Sequence, residues 1–228
     1  MPTLTHYNSP CPEAITSQIL QLVVDNLTDI SQVGLGPSNL LYNVYQYVIG
    51  YEVHLYLAAL EGGAVELIVA TDEDDPALVT GFLLYLPVKD DPDACGVAYM
   101  AVDAGHRRQG VARRMLREMV GRYPHAELAC AVAKVPYFES MGFQVVGTRA
   151  TQVLMNTRDH GSDGLMAQLD VAPIYSSLEV RQIHTYLLQK HGKRAMLDAE
   201  KQRDRHLDQL TRKASEFVHE RLGQRGQL

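Results

Sequence analysis

One stretch of the 228-residue chain constrains its fold more than any other: residues 97–120, VAYMAVDAGHRRQGVARRMLREMV. The stretch opens with a hydrophobic strand pattern, passes through an Asp-Ala-Gly turn, and becomes helical in period after Gly110. The first turn of a helix leaves backbone N–H groups unpaired and carries the positive end of the helix dipole. A strand, loop and helix in this order therefore predict a place where an anion binds.

The distribution of charge supports the same prediction. The net charge is -6, and residues 1–156 carry 9 basic and 17 acidic side chains. Within them, residues 106–122 hold six arginines against one acid, Glu118. One basic patch on an acidic body predicts a local anion site and argues against a broad nucleic-acid surface. The acidic loops 72–75 and 90–93 favour a cationic substrate.

Composition excludes other classes of protein. The longest apolar runs, such as residues 82–88, have the length of a strand and are too short to span a bilayer. The first ten residues, MPTLTHYNSP, lack the basic and apolar regions of a signal peptide. Three widely spaced cysteines with no CxxC pair indicate a reduced compartment and argue against a zinc site. We expect a cytoplasmic protein without a metal or membrane contact.

Hydrophobic periodicity predicts a mixed sheet with helices on its faces. Helices are predicted over residues 13–27, 39–49 and 136–141 and from Gly110 onward, and residues 33–38 should form a loop. Strands are predicted over residues 2–7, 52–60, 65–70, 79–88, 96–103, 127–132, 143–146 and 151–155.

The polar segment 156–164, which contains two glycines, predicts a boundary. We divide the chain into a domain at 1–156, a linker at 157–175 and a helical C-terminal extension at 176–228. The extension should hold two helices, 176–191 and 193–222, separated by Gly192. Its short apolar stripe must cover another surface. Packing on its own domain and packing on a second subunit both remain open, and we favour a homodimer through these helices.

Two motifs in the first domain resemble signatures of the GCN5-related N-acetyltransferase (GNAT) superfamily. The loop Arg107-x-x-Gly110-x-Ala112 resembles motif A, R/Q-x-x-G-x-G/A, which binds the pyrophosphate of acetyl-CoA in that family. The sequence YFESMGF at residues 137–143 resembles the second signature, Y-E-x-x-G-F. The resemblance covers about residues 1–156 and implies an α/β (α+β) chain with the GNAT acyl-CoA N-acyltransferase fold. The tail resembles no family.

The resemblance also implies a cofactor site and a reaction. A gap should open where the motif A strand parts from the next strand, with acetyl-CoA as co-substrate. The acceptor would be a primary amine of a small molecule or protein. The backbone would hold the pantetheine arm at Met100, Ala101 and Val102, and the loop would hold the pyrophosphate at Arg107, Arg108, Gln109, Gly110, Val111, Ala112 and Arg113.

The residues for proton transfer depart from the family pattern. Phe138 occupies the position of the usual proton-donating tyrosine, which leaves Tyr137 as the candidate general acid. Gly96 aligns with the glutamate base of some relatives, and Glu66 and His54 are weaker candidates for that role. These departures keep open a non-catalytic acetyl-CoA-binding module that acts on a protein partner through its tail. A tRNA-acylating toxin of the same fold is disfavoured by the acidic body.

Overall fold

The computed structural model describes residues 2–225 of the chain, so Met1 and the end of the predicted extension, 226–228, lie outside it. Seven strands form one mixed sheet, which confirms the predicted fold class. The strands are β1 Thr3–Tyr7, β2 Glu66–Thr71, β3 Val79–Val88, β4 Asp91–Val102, β5 His125–Cys130, β6 Gln144–Arg149 and β7 Gln152–Asn156. Their order in the sheet is β1-β2-β3-β4-β5-β7-β6, and only β4 and β5 pair in parallel.

Helices cover the sheet on both sides. They are α1 Glu13–Asp25, α2 Leu27–Ile30, α3 Tyr42–Ala58, α4 Val111–Arg122, α5 Val135–Glu139, α6 Ala172–Tyr175 and α7 Leu178–Arg225, with 3₁₀ turns at Leu60–Gly62, Ala104–His106 and Val132–Lys134. None of the helices within residues 2–225 has the length and hydropathy needed to cross a membrane.

Two hydrophobic cores lie on opposite faces of the sheet. Alternate residues of β3 serve each core, because successive side chains of a strand point to opposite faces. Phe82 and Leu84 face α1 and α3, while Leu83 and Tyr85 face α4. All four side chains are fully buried, so β3 has a continuous apolar sequence instead of an alternating one.

The strand predicted over residues 52–60 is wrong, because α3 continues through this region to Ala58. The alternation of polar and apolar residues in this segment favoured a strand. Val53, Tyr56, Leu57 and Leu60 also recur at i, i+3, i+4 and i+7, and the structure buries all four. The helical period therefore determines the structure here. The other predicted strands each overlap an observed strand.

The C-terminal helix α7 is interrupted at Gly192, whose φ of 82° and ψ of 161° are not helical. Leu187, before the interruption, and Met196, after it, are buried in the core beside α3. Further along, Ala214 and Val218 are buried in the other core. The apolar stripe of the tail thus packs on its own chain, which was one of the two open arrangements. The homodimer and the division at 156 and 175 stay predictions.

Residues 157–175 are hydrogen-bonded to the turn between β3 and β4 and to α3. The Lys89 backbone N–H donates to the Leu165 carbonyl at 2.8 Å, and the Leu169 N–H donates to the Tyr56 hydroxyl at 3.0 Å. Between these points Met166 packs directly on Gly96. A Cβ atom at position 96 would clash with the sulfur of Met166. The segment therefore forms part of the wall around the centre of the sheet.

Candidate active site

The centre of the sheet is split by a gap between β4 and β5. These strands pair only at Ala94–His125, Cys95–Ala126 and Gly96–Glu127. Beyond Gly96 both strands continue, β4 bonded to β3 and β5 bonded to β7, and the edges that face each other are free. Ala98 forms a β-bulge at the start of the free edge, because Tyr85 pairs with Val97 while Leu84 pairs with Tyr99.

A cavity of about 720 Å³ occupies this gap. Its walls come from the free edges of β4 and β5, the turn after β5, residues 28–34, and α3. The segment around Met166 and one face of α7 close the remaining sides, with His206, Leu210 and Lys213 as the contribution of α7. Met100 of the predicted pantetheine site lines this cavity, whereas Ala101 and Val102 lie further along the same strand edge.

The predicted anion loop precedes the first turn of α4. Gly110 is the residue before the helix and has a φ of 83°, a conformation that favours glycine. No atom lies within 4 Å of the position that a Cβ would take there, so the backbone of the loop is open to solvent. Val111 is buried and begins the core-facing stripe of α4 with Met115, Leu116 and Met119. This packing fixes the direction of the helix N-terminus.

The side chains of the loop divide into two groups. Arg107 turns inward and donates to Asn26 and, at 3.3 Å, to the Asp29 carboxylate. Arg108, with a φ of 63°, and Arg113 are exposed, and Gln109 folds back onto the Gly105 carbonyl. Because Asp29 lines the cavity, the ion pair with Arg107 places the loop at the cavity's mouth.

A second ionic contact secures the turn before the loop. His106 Nδ1 lies 2.7 Å from the Asp103 carboxylate, and His106 Nε2 lies 3.3 Å from Asp72 in the β2–β3 loop. The Asp103 hydrogen bond, supported by Asp72, raises the pKa of His106. The imidazole therefore ties the β2–β3 loop to the turn that leads into α4.

Tyr137, the predicted general acid, lies on α5. Its side chain is 37% exposed, its ring packs edge-on against Phe138, and it is not among the residues that line the cavity, whereas Phe138 is. Burial raises the pKa of the Tyr137 hydroxyl, and the nearby Arg113 opposes that shift. The role of Tyr137 stays a prediction.

The weaker base candidates have other surroundings. Glu66 accepts hydrogen bonds from Tyr85 at 2.7 Å and Tyr123 at 2.8 Å, on the α4 side of the sheet and outside the cavity lining. His54 is exposed on α3 and also does not line the cavity. A carboxylate at position 96 would have no room, since Met166 fills the space over Gly96.

Glu52 on α3 is an ionisable residue of the cavity wall that the sequence interpretation missed. Its carboxylate accepts a hydrogen bond of 2.8 Å from the Tyr99 hydroxyl of β4. Glu52 precedes Val53, the first residue of the helical stripe named above. Had that stripe been preferred to the alternating pattern, Glu52 would have been placed on a helix beside the sheet, although its pairing with Tyr99 still required the fold.

The gap between β4 and β5, the bulge at Ala98 and the glycine loop before α4 lie in one α/β fold, which is the fold class that the two motifs predicted. The family profile described as the acetyltransferase (GNAT) domain matches residues 63–145, the part of the chain from β2 to the start of β6. The match covers the part of the chain that holds both motifs, and it confirms the resemblance drawn from them. No curated protein matches the chain in sequence.

Solved structures share this fold at low identity. The PaiA N-acetyltransferase of Thermoplasma acidophilum, in complex with coenzyme A, is 7% identical, with a TM-score of 0.54 over 68% of this chain and 99% of its own. Aminoglycoside 6'-acetyltransferase type Ii is 12% identical, with a TM-score of 0.50 over 70% of this chain and 99% of its own. Identities this low establish a shared fold alone.

Proposed function

We propose that the protein is a cytoplasmic N-acetyltransferase that moves an acetyl group from acetyl-CoA to a primary amine of a small molecule or protein. The observation that carries the proposal is the free edge of β4, which leads from the cavity towards the anion loop before α4. A cofactor with an amide-containing arm and a pyrophosphate end needs these two elements in this order. The GNAT match over residues 63–145 supports the same activity.

The residues present fit this cofactor. The open backbone at Gly110 leaves space for a pyrophosphate, and the amides of residues 109–113 lie at the positive end of the α4 dipole. Arg108 and Arg113 are exposed beside the loop and would add charge. Met100, Ala101 and Val102 would pair with the pantetheine amides through their free backbone groups. Acetyl-CoA supplies a thioester, an acyl group activated for attack by an amine.

Direct attack by the amine is the transfer route that the cavity supports. Holding amine and thioester together can contribute about 7–11 kcal/mol. A free N–H near the bulge, at Tyr99 or Met100, would stabilise the tetrahedral oxyanion. Cys130 also lines the cavity, but burial raises the pKa of its thiol to about 12, so it would not form an acyl-cysteine at neutral pH.

We assign the protonation of the departing thiolate to Tyr137, the hydroxyl nearest in sequence to the family's usual position. Phe138, which lines the cavity instead, favours the second candidate function. In that alternative the protein binds acetyl-CoA without turning it over and acts on a protein partner through α7.

Turnover measurements separate the two functions. Purified protein is mixed with acetyl-CoA and a set of primary amines, and free thiol is followed with a chromogenic reagent while calorimetry measures acetyl-CoA binding. We expect binding together with thiol release that depends on the amine. Binding without release by any amine would favour the non-catalytic module, and absence of binding would exclude both functions.

The proposed homodimer would use the apolar side chains that α7 leaves exposed. Tyr186 is 57% exposed and Leu178 is 58% exposed on the part of α7 before Gly192. Light scattering of the full chain at micromolar concentration would give twice the mass of 25.4 kDa for a dimer, and a monomer mass would exclude it.

A further inference from the structure

Glu52 differs from the other carboxylates at the cavity in the kind of partner that it has. Asp29 pairs with Arg107 and Lys134. Glu127, at the closed end of the gap, lies 3.8 Å from His125 and accepts the backbone N–H of Ser162. Glu52 instead accepts a hydrogen bond from a neutral phenol, that of Tyr99.

Three tyrosines lie close enough to Glu52 to interact with it electrostatically. Tyr56 lies one turn along α3, Tyr99 comes from β4 and Tyr175 from α6. Burial raises the pKa of each of these hydroxyls, to about 12 for Tyr175, so all three stay uncharged at neutral pH. Arg203 of α7, which interacts electrostatically with Tyr175, forms an ion pair with Asp204 at 2.7 Å.

The surroundings of Glu52 affect the pKa of its carboxyl group. Burial raises the pKa of its carboxyl, and the Tyr99 hydrogen bond only partly opposes that shift. Among the residues whose side chains the structure describes, no lysine, arginine or histidine forms an ion pair with it. A half-buried carboxylate with no cation partner gains most from a cation that enters the cavity, and the tyrosine rings favour such a cation as well.

The position of Glu52 is suited to the transfer reaction. Tyr99, which holds its carboxylate, directly follows the bulge at Ala98, where the free edge of β4 begins. A cofactor arm held by the α4 loop and this edge would end near the bulge. Glu52 and the bulge line the same cavity, and Met166 closes the space beside them over Gly96.

We propose that Glu52 binds the alkylammonium form of the acceptor and takes its proton, with Tyr99 as the residue that positions the carboxylate. This inference rests on the proposed acetyltransferase function and adds a base to it. It also names the acceptor class, a primary alkylamine that is a cation at neutral pH.

One proton passes from the ammonium to Glu52 and then to solvent, which frees the nitrogen lone pair. That pair forms the C–N bond to the thioester carbonyl carbon, and the C=O π pair moves to oxygen. When the C=O bond re-forms, the C–S bond breaks and its electron pair leaves on sulfur. Tyr137 gives its proton to the thiolate and regains the second proton of the nitrogen, so the products are an acetamide and a free thiol.

The test compares Glu52→Gln with Glu61→Gln, a matched control in the exposed turn after α3. Thiol release from acetyl-CoA is measured from pH 6 to 10 with 1,4-diaminobutane and phenethylamine, which are cations at neutral pH, and with aniline, which is not. Calorimetry of acetyl-CoA and thermal unfolding check that each variant is folded.

At neutral pH we expect Glu52→Gln to lower kcat/KM for the alkylamines by about 10²–10⁴-fold. The loss should shrink as pH approaches the amine pKa of about 10, because the amine then arrives without its proton. It should also be much smaller for aniline. Glu52→Asp should restore part of the rate, Tyr99→Phe should cause a smaller loss, and Glu61→Gln should behave as the wild type.

Two results would overturn the inference. If the wild type releases thiol and Glu52→Gln keeps its rate and pH profile, or loses alkylamine and aniline activity equally, Glu52 is not the base while the acetyltransferase function stands. If the wild type binds acetyl-CoA but releases no thiol with any amine, the function itself fails, and the base assignment fails with it.

Discussion

One end of the site is formed mainly by backbone groups and the other mainly by side chains. The end proposed to bind the cofactor leads out of the cavity and consists mainly of backbone: the free edge of β4 and, beyond the cavity lining, the open loop at Gly110 and the first turn of α4, all within residues 97–113. The other end consists of side chains from α3, β4, the segment 157–175 and α7, such as Glu52, Tyr99, Met166 and Leu210. A site made of backbone needs little more than glycine at the right place, whereas a site made of side chains depends on several distant segments.

This difference predicts how each end responds to substitution. At the cofactor end a change should affect binding of acetyl-CoA with little effect on packing. At the other end, where we place the acceptor, a change should affect packing and the rate of reaction with the amine, with little effect on the affinity for acetyl-CoA. Four substitutions test the contrast.

The largest effect is expected for Gly110→Glu. A side chain at a φ of 83° costs about 1–2 kcal/mol, and the new carboxylate repels the pyrophosphate. We expect acetyl-CoA affinity to fall by at least about 100-fold, measured by calorimetry. Gly121→Glu is the matched control, since Gly121 is exposed near the end of the same helix and has open space around it. Equal affinity in the two variants would contradict the cofactor assignment.

Tyr137→Phe tests the border between the two ends. If the hydroxyl protonates the thiolate, turnover at saturating amine should fall by about 100-fold, near the lower limit for general acids, while acetyl-CoA affinity stays unchanged. Tyr186→Phe, an exposed tyrosine of α7, serves as the control. A wild-type rate in Tyr137→Phe would mean that water or another group supplies the proton.

At the acceptor end, Gly96→Ala should destabilise the fold by about 1–3 kcal/mol, because the new methyl group meets Met166. Met166→Ala should remove most of that penalty in the double variant, a coupling that chemical denaturation measures. Gly50→Ala, in the interior of α3 with open space around it, should stabilise the chain instead. Additive costs at positions 96 and 166 would show that the two residues do not restrict each other.

The smallest effect is a pH dependence at the cofactor end. The Asp103 hydrogen bond raises the pKa of His106 in the folded state. Its contribution to stability is therefore complete below the unfolded value of about 6.5 and is lost as pH rises through the folded pKa. The stability difference between wild type and His106→Gln, followed by thermal unfolding, should shrink from pH 5.5 to pH 8.5. A difference that grows over this range would contradict the ion pair.

The same contrast explains how much could be predicted from the sequence. The motif around Gly110 predicted the strand, the loop and α4, because glycine, arginine and the helical stripe are local features. Gly192 likewise predicted the break in α7. The sequence of residues 52–60 fits both the alternating pattern of a strand and the apolar stripe of a helix. Because we predicted a strand there, Glu52 was not recognised as a residue of the site. Gly96 and Met166 are far apart in the chain, so no local sequence pattern predicts their contact.

The position of α7 in the chain has a consequence for biosynthesis. All seven strands precede this helix, yet Ala214 and Val218 complete a core that the strands leave open. On the ribosome, the apolar surface of the sheet that receives α7 emerges before the helix can cover it. Such a nascent chain exposes apolar surface to its neighbours. The translation of α7 therefore removes surface through which the emerging domain would aggregate.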